Sequence, residues 1–226
     1  MARILIVEDE AGIAMGLQDG LEAEGYATDV AADGVVAEAK AREGRYDLIL
    51  LDIALPGKDG LAVCRDLRAA GVQTPIIAVT ARVQEIDRVL GFEVGVDDYV
   101  TKPFSARELA GRIRAVLRRA HGPAPARAVW RHDDLIVDFR RFEATRGGRP
   151  LDLTPTEFRL LRTFVDRPGD VLSVRELIDL AWGQDTFLTD RVVYTHVNNL
   201  RGKIERDPAA PALIVSVRRV GYRFDA

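Results

Sequence analysis

The chain has 226 residues, 47% hydrophobic and 30% charged, enough for two domains of roughly 100 to 120 residues that each bury a core. Its single cysteine, Cys64, excludes an intrachain disulfide and a cysteine-rich zinc site. No run of ~18 apolar residues occurs, and no secretory leader pattern opens the chain, so a soluble, cytoplasmic protein with no membrane partner is expected. The formal net charge of −3 hides an asymmetry: 15 basic against 20 acidic residues up to Ala120, then 17 against 15. From Arg191 onward seven basic residues face three acidic ones, which points to a nucleic-acid partner at the back of the chain.

Through residue 120, β-rich apolar runs alternate with amphipathic helical patterns five times. Strands are expected at 4–7, 28–31, 48–51, 76–79 and 99–100, and helices near 12–24, 35–43, 60–70, 84–93 and 106–119. Short connections and right-handed crossovers turn this (βα)5 string into a doubly wound parallel sheet, with helices on both faces. Residues 121–128, with two prolines and a glycine, read as a semi-stiff linker.

Residues 129–226 have a different texture, that of a smaller α+β domain. Short strands are expected at 135–138, 143–146 and 150–153, with a hairpin signal at Gly147-Gly148. Thr154-Pro155-Thr156-Glu157 and Ser173-Val174-Arg175-Glu176 are capping boxes that start two helices. Thr189 or Asp190 caps a third helix running to about Glu205, and strands at 213–217 and 221–224 flank an exposed basic turn, Arg218-Arg219-Val220.

Three apolar strands of the first domain deliver charge at their carboxyl ends: Glu8-Asp9, Asp52 and Lys102. In an open parallel sheet that edge is where sites form, so the clusters should converge on one acidic pocket holding a single ammonium. Phosphoryl transfer is catalysed mainly by positioning and charge neutralisation. Asp52 is thus the expected acceptor. Glu8, Asp9, Asp52 and the Ala54 carbonyl would hold Mg2+ (or Mn2+), Lys102 would pair with the acyl phosphate, and the Thr80 hydroxyl could bond to a phosphoryl oxygen. Any one strand-end carboxylate can equally cap the helix that follows it; Glu8, Asp9, Asp52, Thr80 and Lys102 together at one edge favour chemistry. Tyr99 reads as an edge-strand aromatic or as a switch residue, and the nearby Thr80 and Lys102 favour the switch.

In the second domain, the helix from 189 to 205 turns Val193, Val197, Leu200 and Ile204 inward, leaving Arg191, Thr195, Asn198, Asn199 and Gly202 outward. Short amide side chains at the centre of that face suit base edges better than solvent.

The segments VEDE, LILLDIALPGKDG, PIIAVTAR and VGVDDYVTKPF, in that order, resemble the receiver domain of two-component response regulators. With LTPTEFRLL and RRVGYRF the whole chain resembles an OmpR/PhoB-type regulator, which implies a receiver at 1–120 and a winged-helix DNA-binding domain at 129–226. The resemblance implies Asp52 as phosphoacceptor, Glu8 and Asp9 as the acidic pair, Thr80 and Tyr99 as switch residues, and a cis Lys102-Pro103 bond. It also implies a sensor histidine kinase as donor and a homodimer on phosphorylation. The dimer surface would comprise the fourth helix, fifth strand and fifth helix, pairing Arg88 with Glu108, Glu93 with Arg114, Asp98 with Arg112, and Asp97 with Arg119.

For the DNA-binding domain the resemblance implies tandem half-sites on double-stranded DNA, base contacts from the third helix, Arg201 included, and Arg218 in the minor groove. The segment from Trp182 to Leu188 would contact RNA polymerase. Asn198 and Asn199 stand where arginines are frequent in the family, so adenine rather than guanine is expected opposite one of them. Apart from its own phosphoryl transfer and loss, the protein is not expected to be an enzyme. An aspartyl-phosphate hydrolase would need a general-acid carboxylate where Ala54 stands, and an unphosphorylated orphan regulator would have no use for a complete acidic pocket.

Overall fold

A parallel sheet covered on both faces requires strands apolar on both faces, and the first half of the chain supplies them. In the computed structural model, which describes residues 1–81, 94–120, 128–183 and 190–226, two units separate, Met1–His121 and Gly122–Ala226. The first contains strands β1 (Arg3–Val7), β2 (Ala27–Ala31), β3 (Leu48–Asp52), β4 (Ile76–Thr80) and β5 (Asp98–Thr101). All pairs are parallel, in the order β2-β1-β3-β4-β5. Ile4, Ile6, Leu48, Leu50 and Ile77 form one core with Leu17, Leu21, Leu109, Ile113 and Val116. The alternate residues Leu5, Ile49 and Leu51 are buried just as deeply, on the opposite side of the sheet.

Two of the helices begin where an aspartate side chain satisfies a first-turn amide. Helix α1 spans Ala11–Ala23, α2 Gly34–Arg42, α3 Gly60–Ala69 and α4 Ala106–Ala120. Asp33 accepts from the Val36 N–H and Asp59 from the Leu61 N–H, each at 2.8 Å. A Cβ at Gly60 would lie 2.3 Å from the Asp52 carbonyl oxygen, so only glycine lets α3 start hard against the end of β3. The helix expected at 84–93 lies outside the described residues, as does all but the last residue of the expected linker.

Asp97, expected at a dimer surface, is instead fully buried. Its carboxylate accepts from the Ile76 N–H at 3.0 Å and from Arg68 at 2.9 Å. All five donors of the Arg68 guanidinium are engaged, by Asp97 and by the carbonyls of Val72, Thr74 and Gly95. This clamp ties the end of α3 to the starts of β4 and β5. Cys64 is buried on the same helix, and burial pushes its thiol up to about 11.

The second unit opens with an antiparallel meander of β6 (Val129–His132), β7 (Leu135–Asp138), β8 (Glu143–Arg146) and β9 (Arg149–Pro150). Gly147 and Gly148, both at positive φ, make the tight β8–β9 turn. The strand expected at 150–153 is only this two-residue edge, because Pro150 removes a ladder donor and Leu151–Leu153 turn toward the next helix. Two strands were not expected: β6, only four residues long, and β10 (Val171–Ser173), only three.

Helices α5 (Pro155–Val165) and α6 (Val174–Ala181) both start with complete capping boxes, at Thr154/Glu157 and Ser173/Glu176. Helix α7 (Asp190–Ile204) includes Asp190 as its first residue rather than as a cap. Strands β11 (Ile214–Val217) and β12 (Gly221–Phe224) form a hairpin that joins β10 in a three-stranded sheet, β10-β12-β11. Phe158, Phe164, Leu177, Trp182, Val193, Val197, Leu200 and Phe224 lie in its core. Among the described residues no helix is long and apolar enough to cross a membrane.

Removing one partner of a buried ion pair strands the other, so Arg68→Ala should destabilise the first unit by about 3–5 kcal/mol. Urea unfolding followed by circular dichroism reads this directly, and a loss below ~1 kcal/mol would mean that the clamp carries little of the fold.

Candidate functional site

The strand order reverses between β1 and β3, and at that switch point side chains at the carboxyl ends face a shared crevice. The register pairs Val7 with Leu51, so the next residues, Glu8 and Asp52, emerge side by side. Both are buried, Glu8 at 2% and Asp52 at 5% exposure. Asp52 also pairs with Val79, just before Thr80, and Thr80 with Thr101, just before Lys102. The sheet therefore brings Glu8, Asp52, Thr80 and Lys102 to one edge, with Asp9 exposed at its rim. The Lys102-Pro103 bond is cis.

The Lys102 ammonium lies 2.6 Å from Asp52 Oδ2 and 2.8 Å from Glu8 Oε2. Asp52 Oδ1 accepts from the Ala54 N–H at 2.8 Å. Burial pushes the Glu8 carboxyl up; the Lys102 hydrogen bond opposes this, and the Asp52 charge adds to it. Burial alone would lower Lys102, but its hydrogen bonds to Asp52 and Glu8 outweigh that and raise it, so it stays an ammonium. Glu8 Oε1 is buried with no hydrogen-bond partner among the described residues.

A buried carboxylate oxygen without a donor is costly unless a cation meets it. Ligand atoms of Glu8, Asp9 and Asp52 lie within 4.8 Å of one another, and an all-oxygen set of this kind suits a hard divalent ion. The cluster is therefore capable of coordinating a divalent metal. Thr80 and Tyr99 are both buried, at 2% exposure each, with Tyr99 in β5 opposite Ala78.

Of the residues expected at a dimer surface, Asp98 and Arg112 already pair within the chain at 3.3 Å, and Arg112 also meets Glu108 at 3.2 Å. Arg114 pairs with Glu24 at 3.0 Å, a partner that sequence spacing did not suggest. Asp97 is excluded from that surface by its burial. Arg88, Glu93 and the Arg119 side chain lie outside the described residues.

In the second unit, α7 turns Val193, Val197, Leu200 and Ile204 fully inward. Arg191, Asn198 and Gly202 are exposed, and Thr195 and Asn199 half-buried, so the amide-rich face is where the sequence placed it. Tyr194, 44% exposed, belongs to this face and was missed, although it lies one helical turn before Asn198. A cleft of about 400 Å³ separates α7 from the β11–β12 hairpin, lined by Asp190, Tyr194, Ser216 and the turn residues Arg218 and Arg219.

Arg201 departs from expectation. It is 9% exposed, and its guanidinium bonds to the Ile214 carbonyl and the Ser216 hydroxyl rather than facing outward with the asparagines. Arg223 is tied to Asp225 at 2.6 Å. Arg218 and Arg219 remain exposed in the turn.

Residues 4–114 match the family described as response regulator receiver domain, and residues 148–224 match transcriptional regulatory protein, C terminal. The transcriptional regulatory protein BaeR of Escherichia coli O6:H1 is 44% identical, over 99% of this chain and 93% of its own length. The sensory transduction protein RegX3 of Mycolicibacterium smegmatis is also 44% identical, over 100% of both chains. Among solved structures, a single-residue mutant of RitR superposes with a TM-score of 0.85 at 25% identity, covering 100% of this chain and 99% of that one. DrrB, a Thermotoga maritima OmpR/PhoB homolog, gives 0.51 at 28% identity over 100% of both. With the receiver and effector families matched in that order, and relatives alike from end to end, the chain belongs to the OmpR/PhoB-type response regulators: a phosphorylation-activated receiver followed by a winged-helix, DNA-binding effector that regulates transcription.

Proposed function

We propose that Asp52 is the phosphoacceptor, that Mg2+ (or Mn2+) is the ion held by Glu8, Asp9, Asp52 and the Ala54 carbonyl, and that a sensor histidine kinase is the donor. The observation carrying this reading is the Lys102 ammonium bridging Asp52 and Glu8 beside the unpartnered Glu8 Oε1. A carboxylate oxygen of Asp52 attacks the phosphorus of a phosphohistidine; the P–N bond breaks, its electrons return to the imidazole, and an acyl phosphate forms. The bound ion would supply charge neutralisation on the phosphoryl oxygens. Lys102 exchanges a carboxylate partner for a phosphoryl oxygen, and the Ala54 amide keeps the carboxyl oriented.

Thr80 follows by bonding the new group, and Tyr99 moves with it, carrying the change to the β5 edge. There the phosphorylated chain forms a symmetric dimer. Asp98, Glu108, Arg112 and Arg114 reorganise their pairs with Arg88, Glu93 and Arg119. Exposed pairs contribute only about 0–1 kcal/mol each, so they set register more than affinity.

In the effector, Arg191, Thr195, Asn198 and Asn199 read bases in the major groove and Arg218 enters the minor groove, on tandem half-sites. A two-fold receiver dimer and head-to-tail effectors can coexist only if the connection between the two units is slack. Any contact with RNA polymerase comes from the segment beginning at Trp182, although Trp182 itself is buried.

Two experiments bear on this. A small phosphodonor should raise the full chain's affinity for a selected duplex at least about tenfold, about 1.4 kcal/mol, and shift it to a dimer in light scattering. Asp52→Asn should abolish both effects; a full response from that variant would favour the orphan regulator. Asn199→Ala should cost about 1–3 kcal/mol of binding and relax an adenine preference at one position. Oligonucleotide selection returning guanine at every contacted position would overturn the adenine assignment.

A further inference from the structure

Helix α7 and the β11–β12 hairpin must sit a fixed distance apart if one is to occupy a major groove while the tip of the other reaches the neighbouring minor groove. Main-chain pairing fixes the hairpin internally. Ile214 pairs with Phe224, Ser216 with Tyr222 and Val217 with Gly221, and the Val220 N–H closes the turn on the Val217 carbonyl at 3.1 Å. None of these bonds reaches α7. The tip carrying Arg218 can thus be no better placed than the two strands behind it.

Glu205, just past the helix, accepts from the Ile214 N–H at 2.9 Å at the base of the hairpin, and Arg201 makes a second connection nearer the tip. Its Nε donates to the Ile214 carbonyl at 2.9 Å, its Nη2 to the same oxygen at 2.5 Å, and Nη2 also to the Ser216 hydroxyl at 3.0 Å. The guanidinium carbon stands 5.2 Å from the centroid of the Tyr222 ring. That ring in turn meets Tyr194 of α7 edge-on, at 6.5 Å. Two residues of α7 therefore grip β11 and β12 together. A lysine could not reproduce the grip, because the planar fork places two donors on one carbonyl while stacking on an aromatic face.

We propose that Arg201 is a positioning residue that straps the wing hairpin to the recognition helix and so sets the spacing between the major-groove and minor-groove contacts. The inference rests on the DNA-binding reading of α7 and Arg218 above. It assigns Arg201 a role in specificity without a base of its own: loosening the strap leaves Arg218 intact but no longer aimed.

The test is a double-mutant cycle on the full chain, read by fluorescence anisotropy on a duplex selected with the native protein. In the native background Arg218→Ala should weaken binding ~10-fold. With Arg201→Met already present, the same change should weaken it less than ~2-fold, because the wing contact is lost beforehand. Arg201→Lys, which keeps the charge and one donor, should give an intermediate value, and it decides the matter should the methionine variant not fold.

An undiminished effect of Arg218→Ala in the Arg201 variants would overturn the strap. So would a fall of about 1 in the salt dependence on Arg201→Met with the Arg218 effect intact, the signature of a direct phosphate contact. If instead Arg218→Ala is silent in the native chain, the minor-groove reading fails first and the strap falls with it.

Discussion

One ammonium shared by two buried carboxylates is the interaction on which the proposed chemistry depends. Two like charges about 4 Å apart repel by about 4 kcal/mol at an effective dielectric of about 20, a repulsion that Lys102, bridging Glu8 and Asp52, offsets. Counting Asp9, three carboxylates exceed the single ammonium by two charges, the charge of one divalent ion. The cluster's excess of two negative charges thus matches what one divalent ion would neutralise. Phosphorylating Asp52 would exchange its single carboxylate charge for the roughly two of a phosphoryl group, a net gain of about one negative charge. The proposed transfer asks the lysine to be both charged and free to change partners.

The fold exists to hold that balance. Parallel strands buried on both faces put their carboxyl ends at one edge, and the reversal of strand order between β1 and β3 opens a crevice there. Glycine at position 60 lets α3 begin against the Asp52 carbonyl, which fixes the backbone of the proposed acceptor. At the other end of the sheet Arg68 commits a full set of donors to Asp97 and three carbonyls. The effector uses the same device differently, with Arg201 joining a helix to a hairpin rather than a helix to a sheet.

Much of this was legible in the residues. The apolar runs at Ile4–Val7, Leu48–Leu51 and Ile76–Val79 could only be two-sided strands, and the capping boxes at Thr154 and Ser173 marked helix starts that the structure reproduces. Strands as short as β6 and β10, with exposed valines at Val129 and Val171, left no signal of comparable strength. Charges were the harder problem. Asp97 and Asp98 are adjacent and chemically identical, yet one is locked under Arg68 and the other faces Arg112. Helical spacing placed Asn198 and Asn199 correctly, but it could not tell that Arg201, two residues on, reaches across to a carbonyl thirteen residues away. Whether a cation points at solvent or at a distant backbone oxygen is decided by tertiary packing, which local pattern does not encode.

Intact-mass measurement of the full chain with Mg2+ and a small phosphodonor, followed by peptide mapping, tests the central claim most directly. The predicted result is a single phosphoryl adduct on the peptide containing Asp52, dependent on the divalent ion and absent from Asp52→Asn. An adduct on another side chain, or one formed equally well in the presence of a chelator, would contradict it.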